Sequence, residues 1–174
     1  MENRFLLLTR PDLEGIPPPS LPPGITFRPY TPGDETVWTQ IWRAAEPFDE
    51  IKDEVFRRSL GHDETQLAER VFFAVDEATG ETIGTVTAWT EETPSAYHPQ
   101  CAGWGRVHWL AVIPAYQNRG IGKALFLESL HKLRRLGHRE TFLITSSGRT
   151  GAVRLYEGFG FREATGTGAE AAPV

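Results

Sequence analysis

Apolar residues recur at Ile121, Ala124, Leu125, Phe126, Leu130, Leu133 and Leu136, while Lys123, Glu128, His131, Lys132, Arg134 and Arg135 fill the gaps. That spacing predicts a helix over 120–136 with one face against a core, ended by Gly137. Immediately before it, Val107-His108-Trp109-Leu110-Ala111-Val112 is almost wholly apolar and reads as a buried strand. Upstream, Ile25-Thr26-Phe27-Arg28-Pro29-Tyr30 alternates as a strand does, and Thr31-Pro32-Gly33-Asp34 turns the chain. Asp34 is expected to cap a helix reaching Ala45, with Val37, Trp38, Ile41 and Trp42 at helical spacing. Glu46 to Glu50 breaks the pattern, and a second helix is expected from Asp53 to Leu60, its resumption to Arg70 left open. Val71 to Val75 and Thr82 to Trp89 read as a hairpin about the turn Asp76 to Glu81. Downstream, Glu140 to Thr145 is a strand parallel to its predecessor, because a helical crossover joins them, and Arg149 to Glu157 is a last helix followed by Gly158 and Gly160.

With 174 residues, 40% of them hydrophobic, the chain can bury one core but hardly two, so a single domain over 25–163 is expected. Residues 1–24 form an arm, because Pro11, Pro17-Pro18-Pro19 and Pro22-Pro23 exclude regular structure after the apolar Phe5-Leu6-Leu7-Leu8. The arm either packs back onto the domain or stays a tail. Residues 164–174 are a short tail of small residues.

Charge and cysteine content narrow the partners. A net charge of -5 disfavours nucleic acid, which needs a basic face. The single Cys101 precludes an intrachain disulfide, and no stretch reads as a signal peptide or a membrane span, which makes the cytoplasm the default and no membrane partner expected. No metal site is expected, and homodimerisation is left open.

The chemistry concentrates where the strand runs into the long helix. A helix start leaves backbone N–H groups unpaired and partially positive, so it can hold phosphate. Gly120 and Gly122 would let a diphosphate approach, and Arg119 and Lys123 would neutralise it. The spacing is neither the Walker loop nor the dinucleotide fingerprint. Gln117-Asn118-Arg119-Gly120-Ile121-Gly122 resembles instead the Q/R-x-x-G-x-G/A signature of the GNAT superfamily of acetyl-CoA-dependent N-acyltransferases. The preceding Leu110-Ala111-Val112-x-Pro114 and the later Arg154-Leu155-Tyr156-Glu157-Gly158-Phe159-Gly160-Phe161 stand where that superfamily has its central strand and its LYE-x-x-GF segment.

The resemblance implies an α/β (α+β) GNAT fold, a mixed central sheet with helices on both faces. The family usually adds two more strands after the GF segment, whereas Arg162 onward is too rich in Gly and Ala, so the C-terminal strands are expected to be shortened or missing. Phe5-Leu6-Leu7-Leu8 is the candidate to cover the edge this leaves. The resemblance also implies an acetyl-CoA (coenzyme A) site: main-chain groups of Leu110, Ala111 and Val112 for the pantetheine arm, Gln117 to Lys123, including Ile121, for the diphosphate, and Tyr156 near the sulfur. Arg149, where the family often has Asn, is a further phosphate contact. The implied reaction is direct acetyl transfer to a primary amine, expected to be a small molecule. The alternatives are an acyl-CoA sensor without turnover and a protein N-acetyltransferase.

In that reading Tyr156 protonates the departing thiolate and the Leu110 N–H receives the oxyanion. His108 is the candidate base. By strand alternation it shares a face with Leu110, and Val107 to Val112 resembles the His-x-Leu-Ala-Val segment of serotonin N-acetyltransferases. Glu46, Glu50, Glu92 or a water relay remain open. Trp42, Phe48, Trp89, Trp104 and Trp109 fall on segments that the family places around the acceptor, although most tryptophans are core.

Overall fold

The computed structural model describes residues 3–47, 49–90 and 98–164. Its strands and helices, in order, are β1 (Phe5–Arg10), β2 (Ile25–Pro29), α1 (Glu35–Ala45), α2 (Val55–Leu60), α3 (Glu64–Arg70), β3 (Val71–Asp76), β4 (Thr82–Thr90), β5 (Gly105–Val112), α4 (Ile121–Arg135), β6 (Thr141–Ser146), α5 (Thr150–Gly158) and β7 (Arg162–Glu163). The strands form a mixed seven-stranded sheet in the order β2-β3-β4-β5-β6-β1-β7. The chain divides into two compact units, one drawn from Met1–Pro17, Ala88–His108 and Leu130–Val174, the other from Pro18–Thr87 and Trp109–Ser129.

In the second unit β2, β3 and β4 are antiparallel neighbours, with Ile25 opposite Asp76 and Val71 opposite Thr87. The amphipathic pattern of α1 buries Trp38, Ile41 and Trp42, and α2 buries Val55, Phe56 and Leu60. Their rings interlock: Trp38 meets Phe56 edge-on at 5.3 Å, and Phe56 stacks on Tyr30 at 5.7 Å. Arg57 ties the helices together, donating to Glu35 at 2.8 Å and Glu64 at 3.2 Å.

The expected cap of α1 is a correction. Asp34 occupies the cap position, but its carboxylate accepts from Thr31 N at 2.7 Å and from Arg28 at 2.6 and 2.9 Å, and makes no side-chain cap. Burial alone would raise its pKa, yet the bonds from Arg28 and Thr31 outweigh it and hold the carboxyl below its ordinary range. A nearby guanidinium is a stronger partner than a helix N–H, so the carboxylate pins the turn. The side-chain cap is made two helices later, where Asp63 accepts from Thr65 N and Gln66 N and starts α3 as a separate helix.

Gly84 in β4 shows how closely this unit is packed. A Cβ there would sit 3.0 Å from the Ala111 carbonyl oxygen, 3.0 Å from Leu125 Cδ1 and 3.3 Å from Val112 Cγ2. Gly84→Ala is therefore expected to destabilise the fold by about 1–3 kcal/mol through overpacking. Urea unfolding should show a lower midpoint at an unchanged slope.

In the first unit the N-terminal arm is part of the sheet. β1 pairs antiparallel with β6, from Phe5 opposite Ser146 to Arg10 opposite Thr141, and buries the consecutive Leu6, Leu7 and Leu8. Consecutive burial means that both faces of β1 are covered. β7 then pairs with the far side of β1, Leu8 opposite Glu163 and Thr9 opposite Arg162. The edge left by the shortened C-terminal strand is thus filled from the N-terminus. Beyond β1, Leu13 and Ile16 are buried, His131 Nε2 lies 2.9 Å from the Pro17 carbonyl oxygen, and Arg134 reaches Glu14 at 3.3 Å, so the proline-rich arm packs against the C-terminal half of α4. The crossover is as expected: β6 runs parallel to β5, with Gly105 opposite Thr141 and Arg106 opposite Phe142. Among the described residues no helix is long and apolar enough to cross a membrane. The tail beyond Ala164 lies outside the described residues.

Candidate functional site

The candidate phosphate-binding loop lies wholly in the second unit. β5 ends at Val112, Ile113 N donates to the Ile83 carbonyl at 2.9 Å, and Pro114–Tyr116 makes one 3-10 turn. Gln117 closes the loop: its Nε2 donates to the Val112 carbonyl at 2.9 Å, and its N–H to Pro114 O at 3.2 Å. The Gln117 side chain thus ties the end of the strand to the loop before the helix. Asn118 and Gly120 are left-handed, at φ 61° and 83°. Gly120 is suited to that conformation, and a Cβ there would meet nothing within 4 Å, so its backbone angle is what calls for glycine.

Gly120 O accepts from Ala124 N at 3.0 Å, which makes Gly120 the N-cap of α4. A glycine cap has no side chain to satisfy the N–H groups of the first turn, so Ile121 and Gly122 present main-chain donors that an anion can take. At Gly122 a Cβ would meet only Val112 Cγ2, at 3.8 Å, an ordinary contact. Arg119 and Lys123 are exposed beside the donors. Consecutive main-chain donors, a bare cap and flanking cations are the donor set a diphosphate requires, and these residues fit a coenzyme A phosphate group. In β5, Leu110 is half-buried while Ala111 and Val112 are buried.

Trp109 lies in the expected strand, but its backbone departs from a regular one. Its φ of 52° is left-handed in the middle of β5, a conformation that costs a bulky residue of order 1–3 kcal/mol and disrupts simple alternation. The inference that His108 and Leu110 share a face therefore loses its geometric basis. Trp109 packs edge-on against Trp38 at 5.0 Å and Trp42 at 4.9 Å, an arrangement that stabilises the strained backbone.

His108, Arg149 and Tyr156 belong to the first unit. Burial pushes the His108 pKa well below its ordinary value, with Arg106 and His98 acting in the same direction. The imidazole is thus neutral at pH 7. Tyr156 is 7% exposed on α5, its ring 6.4 Å from that of Phe161. Burial pushes its phenol up to about 12, against the opposing charge of Arg149. Arg149 occupies the N-cap position of α5 without a side-chain cap, and its N–H donates to Ser146 O at 3.0 Å.

Of the alternative bases, Glu46 is half-buried at the end of α1 and Glu50 is exposed, whereas Glu92 lies outside the described residues, as does Phe48 among the aromatic candidates. Trp42 is core, and Trp104 packs on Leu7, Cys101 and Phe142.

Known proteins resemble this chain in sequence and fold. The model of the acetyltransferase (GNAT) family matches residues 36–161. The mycothiol acetyltransferase of Pseudarthrobacter chlorophenolicus is 32% identical over 149 residues, covering 84% of this chain and 45% of its own length. A GCN5-related N-acetyltransferase of Sphaerobacter thermophilus superposes with a TM-score of 0.70 at 27% identity, over 93% of this chain and 48% of that one. AAC(6')-Iy, solved with the bisubstrate analogue CoA-S-monomethyl-acetylneamine, has the same fold: its TM-score is 0.62 at 17% identity, over 86% of this chain and 99% of that one. The chain spans about half the length of the curated relatives it matches. With the strand, loop and helix start in place and the family model covering most of the sheet and helices, the chain belongs to the GNAT acetyltransferase family.

Proposed function

We propose that this protein is an N-acetyltransferase that moves an acetyl group from acetyl-CoA directly to the primary amine of a small molecule. The observation that carries the reading is the glycine-capped start of α4, held to the end of β5 by the Gln117–Val112 bond. Acetyl-CoA supplies the activated thioester; the C–N bond forms as the C–S bond breaks, and one proton passes from the amine to the sulfur. Main-chain N–H groups of Gly120 to Gly122 hold the diphosphate, with Arg119 and Lys123 balancing its charge and Arg149 reaching a further phosphate. Leu110, Ala111 and Val112 offer main-chain groups to the pantetheine, the Leu110 N–H receiving the developing oxyanion. His108 takes the amine proton and Tyr156 donates to the sulfur. The family membership supports the role of Tyr156 and the His-x-Leu-Ala-Val resemblance that of His108, and the protonation states set by burial suit both: a neutral imidazole can accept and an un-ionised phenol can donate. The mycothiol acetyltransferase relatives make a mycothiol-type amine the first acceptor to assay.

The test is acetyl transfer to a panel of amines, followed by mass spectrometry and a pH profile on whichever is acetylated. Because burial lowers the His108 pKa, the acid limb of kcat/KM is expected below pH 6.5, with no histidine inflection at neutrality. His108→Gln should remove that limb and slow turnover by roughly 10²-fold. A variant that keeps the wild-type rate and profile returns the base to Glu46, Glu50, Glu92 or the amine's own neutral fraction. Acetyl-CoA binding without transfer to any amine would favour a sensor.

A further inference from the structure

Beside the phosphate-binding loop lies a contact that the chemistry above does not use. Tyr116 OH donates to Asp76 Oδ2 at 2.7 Å, joining the 3-10 turn to the end of β3. Asp76 is itself fixed: its Oδ1 accepts from Ala78 N at 2.9 Å, and its carbonyl accepts from Gly80 N at 2.7 Å, which closes the β3–β4 hairpin turn. The same tyrosine presents its ring to the loop, with the Arg119 guanidinium carbon 4.9 Å from the ring centroid. One side chain therefore has its hydroxyl anchored to the hairpin and its face occupied by a cation of the loop. The hydrogen bond from Tyr116 comes first, and that from Ala78 next, among the causes that hold the Asp76 carboxyl below its ordinary range, so the acceptor is charged at neutral pH.

Resting on the reading of this loop as the diphosphate cradle, we propose that Tyr116 is a positioning residue for acetyl-CoA: Asp76 fixes its hydroxyl, the fixed ring carries Arg119, and the turn before the helix start is thereby held ready for the phosphates. A loop with two left-handed residues, Asn118 and Gly120, pays conformational entropy when it orders. Anchoring the turn in the free protein removes part of that cost from the binding step, which is preorganisation. The arginine gains too, since a cation resting on an aromatic face has fewer rotamers to lose when it meets an anion.

Tyr116→Phe separates the two parts, because it keeps the ring and deletes the anchor, whereas Tyr116→Leu deletes both. The measurements are calorimetric acetyl-CoA affinity, the KM-against-kcat split for acetyl transfer, and amide hydrogen exchange over 114–122 in the free protein. Tyr116→Phe is expected to weaken acetyl-CoA binding roughly three- to tenfold, with kcat changed less than about twofold. Exchange should quicken in the loop and not across β3 and β4. Tyr116→Leu should lose about threefold more, and Arg119→Ala should cost less in the Tyr116→Leu background than in the wild type, because the two residues act as a unit. Affinity and loop exchange both unchanged in Tyr116→Phe would overturn the proposal. So would faster exchange spread through the hairpin with kcat falling in parallel, the mark of a merely structural residue. A wild-type protein that binds no acetyl-CoA would overturn the cradle itself and the proposal with it, an outcome distinct from wild-type binding that is indifferent to Tyr116.

Discussion

Tyr156→Phe is expected to lower kcat by about 10²-fold or more while leaving acetyl-CoA affinity within about twofold. Phenylalanine preserves the packing of the ring near Phe161 and removes only the hydroxyl, so the fold should survive with a change of about 1 kcal/mol. The size of the kinetic effect follows from what the hydroxyl does. A phenol pushed up to about 12 stays protonated at every working pH and is a donor throughout. An ordinary thiol ionises near 8.5, so complete transfer of that proton to a thiolate would be uphill by about 5 kcal/mol unless it were replaced as it left. Tyr156 is therefore expected to donate a hydrogen bond that strengthens as the C–S bond breaks, and to pass its proton only in concert with the one released by the amine. Two consequences can be measured. The wild-type profile should show no tyrosine limb below about pH 11, and an acetyl donor with a more acidic thiol should narrow the gap between Tyr156→Phe and wild type, since its thiolate needs less help. An unchanged kcat would remove Tyr156 from the mechanism.

Gly122→Asp is expected to abolish most acetyl-CoA binding, by roughly 100-fold, or about 2.7 kcal/mol, without harming the fold. The two effects have opposite signs for one reason. A carboxylate in the first turn of α4 interacts favourably with the partial positive charge of the helix start, by about 0.3–1 kcal/mol, and replacing glycine improves helix propensity. The space is there, because a Cβ would only touch Val112 Cγ2 at 3.8 Å. The same carboxylate would occupy the place proposed for the diphosphate and repel it. Gly122→Ala separates charge from bulk: it should raise the melting temperature slightly and weaken binding by less than Gly122→Asp does. A loss of affinity in a protein that melts no lower than wild type cannot be ascribed to misfolding. If calorimetry finds that Gly122→Asp alters affinity less than about threefold, the helix start does not hold the phosphates.

Much of the fold was legible because helices and hairpins are written within a few residues of themselves. The apolar spacing of α4 and α1, the hairpin of β3 and β4 and the crossover from β5 to β6 were all expected from local patterns, and all are present. Local reading failed where a side chain had a better partner elsewhere. Asp34 reads as a helix cap until Arg28 is brought beside it, whereas the helix whose resumption to Arg70 was left open is present, as a separate helix that Asp63 starts. The anchoring of Tyr116 by Asp76 was equally hidden, since the residues are 40 apart in the chain and neither belongs to a recognisable motif with the other.

What the sequence determined by itself is the family, the order of elements and the make-up of the loop, since glycines and a strand running into a helix act through their own backbone preferences wherever the fold carries them. What only the tertiary structure decided is where β1 lies, the left-handed turn at Trp109, and the protonation of His108 and Tyr156. Strand pairing joins Phe5 to Ser146 across most of the chain, the Trp109 backbone is held by rings from α1, and a pKa answers to the water that surrounding protein excludes. Each of these depends on atoms that folding alone brings together, so no window of neighbouring residues contains it.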